Sequence, residues 1–462
     1  MGLFGILLSL ALLMYLAYRG INVLILAPLL ALLAVLMAGD LPILATYTQI
    51  FMKSLGGYVI TYFPLFLLGA IFGKIMADSG AARTIAEQIV QRVGAHRAIL
   101  AVVLACGVLT YGGVSLFVVA FAIYPIANAL FRSADVPKRL LPAAIALGSF
   151  TFTMTAFPGT PAIQNAIPMP FFGTNVFAAP ILGTVAGLIM LGGGVLWLNR
   201  RSAAAHARSE GYGQHERTAA DSSLPEDMDL PGFWVAILPV ISVIALNALF
   251  TYVIIPQMNA TYLADPKYGA TSLQSVAGIW AIIGALVVSI VLAIGLNWRR
   301  FTNLTDSINS GTMGSLLPIF NTASEVGYGA VIAALPAFRL VRDAVLGISN
   351  NPVISLAVSV NVLAGITGSA SGGMSIALQA LGEQFRGLAE DQGISLELMH
   401  RVTVLAAGGF DALPHNGAVI TVLAICGLTH RQSYKDIFVV AVAIPVVALV
   451  TVIALGTAFG GF

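Results

Sequence analysis

The sequence predicts an all-α polytopic membrane protein: two inverted repeats, about ten transmembrane helices, two re-entrant hairpins and two broken helices. Three observations predict it. Of the 462 residues, 58% are hydrophobic and 9% are charged, with a mean hydropathy of +0.93. Soluble domains carry about 25% charged residues. Apolar runs close to the roughly 20 residues that a bilayer core requires recur along the whole chain. Two of these runs are interrupted by polar, helix-breaking stretches, Thr155-Ala156-Phe157-Pro158-Gly159-Thr160-Pro161 and Phe410-Asp411-Ala412-Leu413-Pro414-His415-Asn416-Gly417.

The same composition excludes several function classes. A net charge of +2 is too small to suggest a nucleic-acid partner. The two cysteines, Cys106 and Cys426, both fall in apolar runs, so neither a disulfide framework nor a metal site is expected. No phosphate loop, metal-ligand spacing or nucleophile elbow occurs, so neither an enzyme nor a cofactor is expected. The first apolar run has no basic region before it and no small-residue cleavage site, and is read as a mature span.

In chain order, residues 3–18, 22–38, 58–76, 177–197, 233–255, 275–296, 313–335 and 438–456 read as plain helices. Residues 138–168 and 397–427 are long helical segments, each carrying one break. Residues 98–131 and 352–385 each hold a glycine cluster at the centre of an apolar stretch. Each stretch is too long for one crossing and too short for two, which predicts a hairpin entering and leaving on one side. With the N-terminus outside, fifteen Lys and Arg fall in cytoplasmic segments and six in external ones, Arg401 among the six, with Lys74 in a span. That asymmetry follows the positive-inside rule.

Residues 199–232 are polar and read as a cytoplasmic linker between a first repeat, 1–198, and a second, 233–462. Gly73-Lys74-Ile75-Met76-Ala77 aligns with Gly329-Ala330-Val331-Ile332-Ala333. At the same offset Arg83 pairs with Arg339, Thr155 with Asp411, and Pro158 with Pro414. The predicted topology runs the halves in opposite senses. Transporters built so bind substrate near the midplane, at the repeat interface, with discontinuous helices.

The polar residues at these places are the candidate site. The first hairpin tip supplies Gly112, Gly113 and Ser115; the second supplies Ser369, Ser371 and Gly372. Thr155, Gly159 and Thr160 come from the first break, Asn416 and Gly417 from the second. Glycine permits the turns, and a helix restarting after each tip or break presents free amides and a positive dipole end. Four such ends can hold a carboxylate without a buried arginine. Small residues also let membrane helices pack closely, which is the other reading of the tips. Thr160 reads as an N-cap with Pro161 as the first helical residue, and Asn416 reads as the second cap.

Ionisable residues at membrane depth cost roughly 2.5–3.5 kcal/mol each, which marks Asp411 and His415 as candidates for ion coupling. A structural hydrogen bond or cap is the alternative for both. Glu325, in the polar run Asn321-Thr322-Ala323-Ser324-Glu325, is a third candidate for ion coupling, facing the site or an ion, with a buried hydrogen bond to a neighbouring helix as the alternative. Lys74 and Asp78 read as a snorkelling pair, and the segments holding Arg83-Glu87 and Arg339-Asp343 as amphipathic arms.

The chain resembles the gluconate permease (GntP) family of the ion transporter superfamily. The resemblance covers nearly the whole chain and rests on Phe72-Gly73-Lys74-Ile75-Met76-Ala77-Asp78-Ser79-Gly80 with its following basic amphipathic helix, the hairpin tips, and Pro158-Gly159-Thr160-Pro161. It implies proton-coupled uptake of small hydroxy- or sugar-acid anions across the bacterial inner membrane. The superfamily implies a homodimer in which a transport domain bearing both hairpins moves against a scaffold by an elevator motion. The family carries histidines around the first break, where this chain reads Thr153-Met154-Thr155-Ala156-Phe157. Fewer polar groups imply a smaller or less hydroxylated anion than gluconate, a short-chain hydroxy acid such as 3-hydroxybutyrate. Open alternatives are a gluconate or dicarboxylate symporter, a sodium-coupled symporter, and a passive anion facilitator or channel.

Overall fold

A computed structural model describes residues 1–215 and 229–462. The centre of the expected linker, with Arg217, lies outside the described residues. Regular structure among the described residues is helical. One sequence of elements occurs twice: three long helices, a short arm, a helix–tip–helix unit, a broken helix and a closing helix.

The first set of long helices is Gly2–Tyr18, Val23–Ala38 and Ile43–Asp78; the second is Phe233–Gln257, Leu273–Arg300 and Leu304–Ala334. Ile43–Asp78 starts well before residue 58, where apolar length alone placed it. Thr46, Thr48, Gln49 and Lys53 make its first turns polar, and a π-helical stretch, Thr46–Phe51, carries the backbone through them. Leu304–Ala334 likewise starts before residue 313, in the polar turns Thr305-Asp306-Ser307, with the Asn303 side chain accepting from the Asp306 amide.

Six helices among the described residues are long and apolar enough to cross a bilayer on those grounds alone. Leu116–Ser133, expected as a hairpin arm, is one of them. Gly2–Tyr18 and Val23–Ala38 fall short in length, and Leu304–Ala334 is diluted by polar residues along its length, the run Asn321–Glu325 among them.

Two arms follow the long helices: Ala81–Val93, turned 98° from the helix that succeeds it, and Phe338–Leu346. The expected pair Lys74–Asp78 forms (2.8 Å), and in the first arm Arg83 pairs with Glu87 (2.7 Å). In the second arm Asp343 pairs with Arg342 at 2.9 Å.

Ile43–Asp78 and Leu304–Ala334 form the central pair. Ser307 donates to Asp78 Oδ2 at 2.6 Å, Gly311 backs onto Ile71, and Gly327 backs onto Phe51. These contacts advance along one helix as they retreat along the other, so the two run antiparallel. Glycine permits the approach, because a Cβ on Gly311 would lie 2.8 Å from the Ile71 Cα. The hairpins and broken helices share one large apolar core, and the first two helices build a smaller one with the C-terminal end of Leu304–Ala334.

Candidate functional site

The first hairpin pairs Ala98–Tyr111 with Leu116–Ser133; the second pairs Pro352–Thr367 with Ala370–Asp391. Each tip turns through a left-handed glycine, Gly113 (φ 94°) and Gly368 (φ 65°), a conformation that disfavours side chains. Ser115 and Ser369 are the N-caps beyond the tips. Ser369 accepts from the Gly372 amide at 3.1 Å, whereas Ser115 makes no side-chain cap bond.

The second broken helix follows the expected plan. Leu396–Phe410 ends at Asp411, and Gly417–Cys426 begins behind the cap Asn416, whose Oδ1 accepts from Val419 N–H at 2.9 Å. Carbonyls exposed by the break find partners. Tyr434 donates to Ala412 O (3.1 Å), and His430 Nε2 lies 2.8 Å from Pro414 O.

The first broken helix departs from the plan. Leu141–Phe150 and Phe152–Thr155 lead into the break, but Thr160 and Pro161 do not start a helix. Ala162 is the cap of Ile163–Ala166, a single turn followed by another, Met169–Phe172. Pro168 and Pro170 lack the amides a continuing ladder needs, and Gly173 ends the second turn at φ 65°. The fourth helix N-terminus expected at the site is therefore absent, and three remain.

Side chains hold this irregular backbone instead. Asn165 donates to Thr160 O (3.2 Å) and Val176 O (2.8 Å), and Tyr111 donates to Pro158 O (2.6 Å). Arg401, expected in an external segment, is fully buried in Leu396–Phe410. Its guanidinium donates to Ala178 O (2.7 and 3.1 Å), Val176 O (3.4 Å) and Asn165 Oδ1 (3.3 Å). Beside it, His400 Nε2 lies 3.2 Å from Asn165 Oδ1, an acceptor, so Nε2 carries the proton and Nδ1 accepts from Thr174 at 2.6 Å. The buried cation is thus spent on backbone carbonyls. In sequence it falls with the external residues because it stands near the outer end of the segment 397–427, one helical turn after Glu397.

Both tips and both breaks converge on one cavity of about 500 Å³. Gly113, Ser115, Thr155, Ser369, Ser371, Asp411, Asn416 and Gly417 line it. The N-termini of Leu116–Ser133, Ala370–Asp391 and Gly417–Cys426 all open into it through their first residues. Among the described residues the lining contains one ionisable side chain, Asp411, and neither lysine nor arginine.

Six expected site residues do not border the cavity. Gly112 packs on Val240, where a Cβ would lie 2.2 Å from Cγ1. Gly159, at φ 84°, backs onto the Phe177 ring and donates its amide to Val176 O. Thr160 is fully buried, with Oγ1 accepting from the Ala162 amide at 3.3 Å. Gly372 and Glu325 face each other behind the second tip. His415 lies under Gly368, its Nε2 buried and without a hydrogen-bond partner.

The cavity also takes in residues that sequence reasoning did not place there. Thr110 Oγ1, Gln164 Oε1 and Asn321 Oδ1 are lining side chains whose polar atoms are buried and unpartnered. Asn321 opens the polar run that singled out Glu325, and Gln164 precedes Asn165; polarity within an apolar span was the available signal. Such unsatisfied groups suit a cavity that receives a polar ligand.

Apolar helices around a largely apolar cavity, with a few polar groups and helix ends converging on it, are the layout of a multi-pass membrane transporter. The sequence model of the GntP family permeases matches residues 1–456, and the chain belongs to that family, one of transporters rather than enzymes. It is 46% identical over 467 residues to the transporter YxjC of Bacillus subtilis (strain 168), covering 98% of each. Among solved structures, the Alcanivorax borkumensis YdaH transporter superposes with a TM-score of 0.55 at 17% identity, covering 89% of each chain. Neisseria gonorrhoeae MtrF also gives 0.55, at 12% identity, covering 90% of this chain and 84% of its own. These two likenesses are of fold. The family brings with it a small-molecule substrate and a lipid bilayer as surroundings.

Proposed function

We propose that the protein is a secondary active importer of a small hydroxy carboxylate, such as 3-hydroxybutyrate, driven by protons across the bacterial inner membrane. The observation that carries this reading is the convergence of three helix N-termini on one cavity whose lining holds no basic side chain. Helix N-termini offer amide donors and a positive dipole end, which favour an anion without a counter-cation to release. Ser115, Thr155, Ser369 and Ser371 add hydroxyls suited to a hydroxy acid.

Asp411 provides the coupling. A substrate carboxylate entering beside an ionised Asp411 meets like charge in a medium of low dielectric. Once Asp411 takes a proton the repulsion is removed, so anion and proton bind together and leave together. His415, one shell behind the lining, is the second coupling residue.

The halves 1–198 and 233–462 act as inverted repeats, a reading supported by the twice-used element order and the antiparallel central pair. The hairpins and broken helices are the moving body of an elevator in a homodimer; the elevator reading is supported by the cavity's place between their tips and breaks on one side and Ile43–Asp78 and Leu304–Ala334 on the other. Substrate counterflow in proteoliposomes tests the coupling assignment. Asp411→Asn is expected to retain carboxylate exchange and lose gradient-driven accumulation. Accumulation at the parent level in Asp411→Asn overturns it.

A further inference from the structure

Behind the second hairpin tip, Leu304–Ala334 lies against Ala370–Asp391. Thr322 Oγ1 is 3.3 Å from Ser371 Oγ, Glu325 abuts Gly372, and Gly329 abuts Ile376. The contacts advance together, so the two helices run in the same sense here. Glu325 is 3% exposed and its Oε2 has no hydrogen-bond partner. It occupies the space a side chain at residue 372 would need, since a Cβ there would lie 1.6 Å from Oε2. The carboxylate is therefore seated directly against tip backbone.

The groups facing it are polar and come from two elements. Ser369 of the tip neighbours the carboxylate, and Tyr58 of Ile43–Asp78 is within electrostatic reach. Tyr58 in turn faces Ser375 and Thr322. The Tyr58 and Ser375 hydroxyls are, like Glu325 Oε2, buried and unpartnered. Of the groups named, Glu325 carries the charge and Tyr58 is the other titratable one. One turn beyond Gly372 the hairpin presents Ile376, which offers no donor.

We propose that Glu325 is a further proton-binding site, apart from Asp411 and His415, acting as a latch that holds the second hairpin to helix Leu304–Ala334 when ionised and frees it when protonated. Ionised, Glu325 stays where the hydroxyls of Ser369 and Tyr58 lie close enough to turn toward it, because sliding would bury a bare charge against apolar side chains. Protonated, it is a neutral group that can pass them. The latch rests on the elevator reading above, and it makes hairpin movement conditional on a proton independently of Asp411.

Disulfide crosslinking of Thr322→Cys with Ser371→Cys in native membranes tests it, with and without Glu325→Gln, between about pH 8 and about pH 5. Taking the ratio of rates in the two backgrounds at each pH removes the pH dependence of the thiols. The ratio is expected to fall by about threefold or more on acidification, as the tip leaves its seat only in the background that can be protonated. A ratio that stays constant or rises overturns the proposal. If the pair forms no disulfide, maleimide labelling of Ser371→Cys alone reads the same movement. Labelling in the Glu325 background relative to Glu325→Gln at the same pH should rise with acid, and a relative rate that stays constant overturns the proposal. Neither readout uses a carboxylate substrate, so failure here and failure of the transport reading are separate results.

Discussion

Asn416 ties the second break to the second hairpin tip: its Nδ2 donates to Gly368 O at 2.9 Å while its Oδ1 caps Gly417–Cys426 through Val419 N–H. One side chain thus fixes two of the three helix N-termini relative to each other. The cavity geometry depends on both of its bonds.

Substitution separates the two bonds. Asn416→Asp keeps the capping oxygen but loses the donor to Gly368, and Asn416→Ala loses both. Loss of the cap costs about 1 kcal/mol, and an unpaired buried carbonyl roughly 1–3 kcal/mol. Thermal unfolding in detergent should rank Asn416→Ala below Asn416→Asp. Both should raise the substrate Km, because both loosen the tip.

Thr155 and Gly408 fit each other across the two halves. A Cβ on Gly408 would lie 2.6 Å from Thr155 Cγ2. Gly408→Ala should therefore destabilise by roughly 1–3 kcal/mol through overpacking. Thr155→Ala in the same chain should recover at least half of that loss, an interaction that a double-mutant cycle of thermal stabilities measures. Strict additivity would mean the two residues do not share the space.

Arg401 is the main support of the first break. Arg401→Met leaves the Ala178 carbonyl without its donor, at about 1–3 kcal/mol, while Val176 O keeps the Gly159 amide and Asn165. Arg401→Lys keeps the charge but not the planar fork that reaches three acceptors, so it should rescue little. Thermal unfolding of the two variants checks this, and full rescue by lysine would show that charge alone matters.

The start of the linker is pH-sensitive. Arg139, which donates to Glu210 at 2.5 and 3.0 Å, holds the Glu210 carboxyl below its ordinary range. A carboxyl depressed in the folded state adds stability above its unfolded pKa, and loses it as pH falls through the folded value. Docking of residues 207–215 should thus hold at neutral pH and weaken in acid. Limited proteolysis near Arg208 should be faster at about pH 4 than at about pH 7, and Glu210→Gln should abolish the difference.

Much of this architecture was legible because departures from apolarity stand out in a membrane chain. The tips at Gly113 and Gly368, the break capped by Asn416 and both arms were visible as glycine, proline or charge within apolar sequence. The first break was visible too, but the way the chain resumes after it was not, because Pro161 reads as a helix start. Only the later prolines, Pro168 and Pro170, and the support of Asn165 and Arg401 show why none follows. Arg401 itself was misplaced because an arginine near the end of an apolar segment looks solvated until its carbonyl acceptors, Val176 and Ala178, are known. The polar openings of Ile43–Asp78 and Leu304–Ala334 hid helix that packing, rather than apolarity, sustains.

Accumulation by proteoliposomes tests the central claim, proton-coupled carboxylate import, most directly. Vesicles holding the protein would be given labelled 3-hydroxybutyrate outside, with an inward proton gradient, an inward sodium gradient, or neither. The account predicts transient accumulation above the external concentration under the proton gradient, abolished by a protonophore. Equilibration without accumulation under every condition, or accumulation driven by sodium alone, would contradict it.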